Sequence, residues 1–72
     1  MKYGVALFHT TSSTMQAQKA LNGKGYAVTL IPTPRQFSSD CGIAIRFYWY
    51  EQAHVKEMLD KAGVETQAIY EM

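Results

Sequence analysis

One side group among the 72 residues is a nucleophile able to hold a covalent cargo. It is Cys41, in the loop Pro32-Thr-Pro-Arg-Gln-Phe-Ser-Ser-Asp-Cys-Gly42. A thiolate exchanges with other sulfur centres through a mixed intermediate, and its reactivity follows its ionisation and its access. A single cysteine cannot pair within its own chain, so a structural disulfide framework is excluded. Cysteine is often a small buried hydrophobe, but a polar loop with Asp40 and Gly42 as neighbours reads against a core position. Arg35 in the same loop favours the thiolate over an ordinary thiol pKa of about 8.5. Asp40 opposes it, so the direction of the shift is open at this point. Gly42, without a Cβ, is expected to permit unusual backbone angles and to leave one flank of the sulfur uncovered. Ser38, Ser39 and the loop amides are candidates to hold a terminal sulfur or selenium anion by hydrogen bonds.

The other chemistry-bearing residues are sparse. His9 follows an apolar run and is read as a strand-end histidine capping a backbone group, in preference to a proton relay or a metal ligand. His54 falls outside the apolar stripe of its helix and is read as solvated. No Cys/His pair has the spacing of a zinc site, so no metal is expected. Arg35 is either an anion clamp or a solvated loop charge. No second thiol, general base or cofactor loop stands out, so no cofactor is expected and the protein reads as a shuttle more than a catalyst. Charge narrows the classes further. Seven basic and six acidic residues give a net charge of +1, and they form no Lys/Arg run. That lacks the electrostatic footprint of nucleic-acid or membrane-surface binding. The N-terminal run Val5-Ala-Leu-Phe8 is too short for a leader's apolar stretch, and nothing approaches the ~20 apolar residues of a membrane span. A cytoplasmic location, where a lone thiol stays reduced, is the expectation.

These residues are positioned by six elements. Tyr3 to Phe8 reads as a buried strand. A hydroxyl-rich cluster, Thr10 to Thr14, precedes a helix to about Asn22, with Ser13 and Gln16 as a capping box and Ala17, Ala20 and Leu21 inward. Gly23 and Gly25 stop it. Ala27 to Ile31 is a second strand ended by Pro32 and Pro34, Ile43 to Trp49 a third. Glu51 to Ala62 is a second helix with Val55, Met58, Leu59 and Ala62 on one face and a Glu57–Lys61 pair outside. Gly63 ends it, and Thr66 to Tyr70 is the last strand. The order βαββαβ, with its two βαβ halves, predicts one α+β domain over residues 1–72. Its form is a ferredoxin-like sandwich, a four-stranded antiparallel sheet with two helices on one face. That topology brings the Pro32–Gly42 loop to the end of the sheet that also holds His9, Thr10, Thr11 and the first helix's amino terminus. About half a positive charge resides there.

The third strand alternates, with Ile43, Ile45, Phe47 and Trp49 toward the helices and Ala44, Arg46, Tyr48 and Tyr50 on a face expected to be open. Tyrosines and an arginine there suit either base stacking or a dimer interface. The basic-Gly-aromatic start of an RNA-recognition strand is missing, so a homodimer is the preferred reading. A small core often completed by a partner points the same way.

The segment Pro32-Thr-Pro-Arg35 followed by Ser38-Ser-Asp-Cys-Gly42 resembles the Se/S carrier protein-like family. There, Pro-x-Pro-Arg leads into Ser-Ser-x-Cys-Gly and an apolar strand. The likeness extends to Phe8 before a Ser/Thr-rich turn, to the helix around Ala17-Gln-Lys19-Ala-Leu21 and to the Gly-containing turn before the second strand. Gln18 departs from it, where an acidic residue is expected. The resemblance implies a selenium or sulfur carrier loaded on Cys41, with Arg35, Ser38, Ser39 and Gly42 as its loop environment. It implies as partners a donor protein such as a cysteine desulfurase and an acceptor enzyme. A dimeric regulatory or scaffold module and a nucleic-acid-binding sandwich using the open sheet face are the alternatives.

Overall fold

A computed structural model describes residues 2–37 and 40–72. Its elements run β1 (Tyr3–Leu7), α1 (Thr11–Gly23), β2 (Thr29–Pro32), β3 (Ile43–Tyr48), a short 3-10 turn (Trp49–Glu51), α2 (Gln52–Lys61) and β4 (Ala68–Glu71). The sheet order is β2-β3-β1-β4 and every pairing is antiparallel, the ferredoxin-like arrangement the element order predicts.

The two helices cover one face of the sheet because both carry an apolar stripe at helical spacing. Thr14, Ala17 and Leu21 of α1 and Val55 and Leu59 of α2 are buried. The apolar ones among them, Ala17, Leu21, Val55 and Leu59, meet Ala6, Phe8, Ile45 and Phe47 in the main core. Ala62, expected inward, is exposed beyond the last turn of α2. Both helices stop in the same way. Gly25 and Gly63 adopt φ of 87° and 72°, and the residues after them donate their N–H groups back to the carbonyls of Leu21 and Leu59. This reverse-turn closure needs a left-handed residue, which glycine adopts without a Cβ clash.

Several boundaries differ from those read in the sequence, β4 among them, which runs Ala68–Glu71 and not Thr66 to Tyr70. α1 starts at Thr11, not after Ser13. Thr10 is its cap, with Oγ1 accepting from the Ser13 N–H at 3.0 Å. A run of hydroxyl residues offers several competing caps, and burial of Thr14 on the core-facing stripe selects the earlier one. β2 starts at Thr29 and includes Pro32, which pairs with Ile43. An edge strand tolerates a proline whose missing N–H would face outward. Trp49 leaves β3 for the 3-10 turn and packs its ring against Phe47, 6.3 Å between centroids.

The opposite sheet face is not open throughout. Val5, Leu7 and Ala44 on that side are fully buried, with Ile31, Phe37 and Ala68 packed on them. Phe37 comes from the β2–β3 loop and stacks on Tyr70 at 4.7 Å. An apolar patch that no helix reaches is thus covered by the loop itself. The expectation of a wholly open face fails at this end. At the other end, Tyr3, Tyr48 and Tyr50 stack in succession at 5.6 and 5.9 Å, and the Arg46 guanidinium lies 4.5 Å over the Tyr3 ring.

Candidate functional site

The direction of each element places the site. β1 and β2 run toward one end of the sheet, α1 leaves from that end and α2 arrives there. The β2–β3 loop bridges the same end. Its base is closed by the Thr33 N–H donating to the Gly42 carbonyl at 3.0 Å and the Thr33 hydroxyl donating to the Cys41 carbonyl at 2.9 Å. Phe37 anchors the other limb on the back of the sheet. Between these fixings, Cys41 is laid against the first turn of α1.

The Cys41 sulfur lies 3.6 Å from the hydroxyl oxygens of both Thr11 and Thr14. Only 4% of the residue is exposed, which corrects the expectation of an uncovered thiol on a polar rim. The physical reason is local. Thr33 holds the Cys41 carbonyl, which turns the thiol inward under α1. Thr11, whose hydroxyl meets the sulfur, is exposed, as are the chain neighbours Asp40 and Gly42, and the side-chain groups that meet the sulfur are hydroxyls.

Burial pushes the Cys41 thiol up, since a charged sulfur loses water. A hydrogen bond from the Ile43 backbone N–H, then those from the Thr14 and Thr11 hydroxyls, together outweigh that, and the pKa lies below the ordinary thiol value. The two charges weighed in the sequence play no part in this. Asp40 turns away, its carboxylate bonded to His9 Nδ1 at 3.0 Å. Arg35 is exposed in the loop turn and makes no ion pair among the described residues.

The structure places two further residues named from the sequence, His9 and Gly42. His9 reaches the site's rim as predicted, but its partner is the Asp40 carboxylate and not a backbone group. Gly42 does not need its conformational freedom, because its φ is not left-handed. Among the described residues other than its chain neighbours, nothing lies within 4 Å of a Cβ built there, so a side chain at this position would have room. Ser38 and Ser39 lie outside the described residues. Sequence reasoning brought Thr11 to the rim of Cys41, without assigning it to the sulfur, and missed Thr14 and the Ile43 N–H. The available signal was Thr14, a hydroxyl three residues before Ala17 and seven before Leu21 on the buried stripe.

A model of the family described as "Putative Se/S carrier protein-like" matches residues 3–71, nearly the whole chain. The chain belongs to that family. The match embraces every strand and both helices of the Se/S carrier-like fold, together with the cysteine loop. No curated protein and no solved structure matches the sequence.

Elsewhere on this family member, a groove of about 730 Å³ runs between α2 and β4, lined by residues including Ala53, Lys56, Asp60 and Ile69. It does not include Cys41. Among the described residues, no three His, Cys, Asp or Glu side groups are gathered to hold a metal ion. No described helix is long and apolar enough to cross a membrane.

Proposed function

We propose that the protein carries sulfur or selenium on Cys41 and passes it to a partner enzyme. The observation that carries this reading is the sulfur's environment in a member of this family. Two hydroxyls and a backbone N–H stabilise its anion at the first turn of α1, and in this reading a donor reaches the nearly covered sulfur past the exposed Gly42.

Loading is an exchange with no net oxidation. The Cys41 thiolate attacks the outer sulfur of a donor persulfide, such as that of a cysteine desulfurase. The donor's S–S bond breaks, its thiolate leaves, and a new S–S bond forms on Cys41. A donor carrying selenium yields the selenopersulfide by the same route. Discharge reverses the roles. An acceptor thiolate attacks the outer atom and the Cys41 thiolate departs. A stabilised thiolate serves both steps, as attacking group in the first and leaving group in the second. Ser38, Ser39 and Arg35 belong to this reading as contacts of the outer anion or of the partner. A reducing compartment such as the cytoplasm keeps the unloaded thiol ready.

Intact mass after incubation with a desulfurase and cysteine tests it. One added sulfur, about 32 Da, that reductant removes is the expected product of the exchange. Wild-type protein that gains no mass, or a Cys41→Ser variant that gains the same, overturns the proposal.

A further inference from the structure

The Thr14 hydroxyl is fully buried and has one hydrogen to give. Two acceptors compete for it, the Thr10 carbonyl at 3.0 Å and the Cys41 sulfur at 3.6 Å. The Thr10 carbonyl also accepts the Thr14 backbone N–H at 3.1 Å. It can therefore surrender the hydroxyl hydrogen without becoming an unpartnered buried group, which would otherwise oppose the change.

We infer that Thr14 is a positioning residue for Cys41, its hydroxyl hydrogen turning from the Thr10 carbonyl to the sulfur as the thiol becomes a thiolate. In the thiol, the S–H proton points to a threonine oxygen and Thr14 back-bonds along its own helix. In the thiolate, the proton has left to solvent, and a sulfur with lone pairs alone faces an oxygen whose hydrogen must now point at it. Rotation about the Thr14 Cβ–Oγ1 bond makes that change with no movement of heavy atoms. Thr11, exposed on the same helical turn, supplies the second hydroxyl. The inference rests on the carrier reading for its purpose. A donor that reverses direction with the charge helps the sulfur attack as an anion and depart as an anion.

The test is the pH dependence of Cys41 alkylation by iodoacetamide in the full-length protein. Thr14→Val keeps the volume and removes the hydroxyl, and Thr14→Ser keeps the hydroxyl. Valine is expected to raise the alkylation midpoint by about one pH unit, a roughly tenfold smaller thiolate fraction at neutral pH. Serine is expected to stay near wild type. A valine midpoint equal to wild type, or a serine midpoint displaced as far as valine, overturns the inference. The second would show that packing, not the hydrogen bond, is at work.

If the valine variant does not fold, the wild-type protein still decides. The Thr14 methyl carbon resonance is expected to titrate with the midpoint of the Cys41 Cβ resonance. A Thr14 signal flat through that midpoint overturns the inference. Neither readout uses a sulfur donor. Failure to gain sulfur mass would sink the carrier reading while leaving the Thr14 result standing, and the converse also holds.

Discussion

Gly42→Ala separates approach to the sulfur from integrity of the fold. The backbone at this position is not left-handed, and the added methyl would find nothing within 4 Å among the described residues other than its chain neighbours. No overpacking is therefore created, and the variant loses less entropy on folding than glycine does. The expected change is a gain of about 0.4–1 kcal/mol, a rise of a few degrees in a thermal melt followed by circular dichroism. In the carrier reading a donor comes past Gly42, so the same methyl would stand in its path. Displacing reacting atoms by about 1 Å can slow a reaction by roughly a hundredfold, so sulfur loading from a desulfurase is expected to fall at least tenfold. Alkylation by iodoacetamide, a reagent of a few atoms, should change by less than about twofold, because thiolate formation depends on Ile43, Thr14 and Thr11. Wild-type loading kinetics in a stably folded Gly42→Ala protein would refute approach past this residue. A large loss of stability would refute the open space itself.

Three other outcomes follow from different contacts. Gly4→Ala is expected to destabilise by roughly 1–3 kcal/mol in urea denaturation, since its Cβ would lie 2.6 Å from both the Phe47 and Trp49 rings. Phe37→Ala uncovers Val5, Leu7 and Ala44 and removes the stack on Tyr70. A loss of about 1–3 kcal/mol is expected in the same assay, less than for a fully buried phenylalanine because Phe37 is half-buried. Cys41 couples stability to pH. Its pKa is lowered by folding, so its contribution is fully present above the unfolded value of about 8.5 and is lost as pH falls through the folded midpoint. Denaturation midpoints of wild type against Cys41→Ala should diverge with rising pH across that window, and parallel curves would contradict the lowered pKa.

Much of the architecture is written in local chemistry. The glycines four residues after Leu21 and Leu59 stop both helices as their spacing implies. The alternation of Ile45 and Phe47 against Ala44 and Arg46 sorts β3 onto two faces. The Glu57–Lys61 pair forms at 3.2 Å, one turn apart. What failed locally was the choice among equivalents. Thr10 and Ser13 are both competent caps, and only the core's demand for Thr14, Ala17 and Leu21 on one face separates them.

The cysteine shows where sequence reading ends. Its place in the Pro-Ser-Gly loop, and that loop's position beside the start of α1, follow from motif and element order, because a βαββαβ sequence has few ways to close. Its orientation does not. Thr33, eight residues away, turns the Cys41 carbonyl, and Thr11 and Thr14, about thirty residues away, receive the sulfur. By itself the sequence settled which helices and strands form and which atom is the candidate nucleophile, since periodicity, turn residues and the intrinsic chemistry of each residue type are local properties. Only the folded protein decided that Asp40 bonds His9, that Arg35 stays in solvent, and that hydroxyls and an N–H lower the thiol's pKa. Hydrogen bonds act over about 3 Å, and distance in space is what a linear order of residues leaves undetermined.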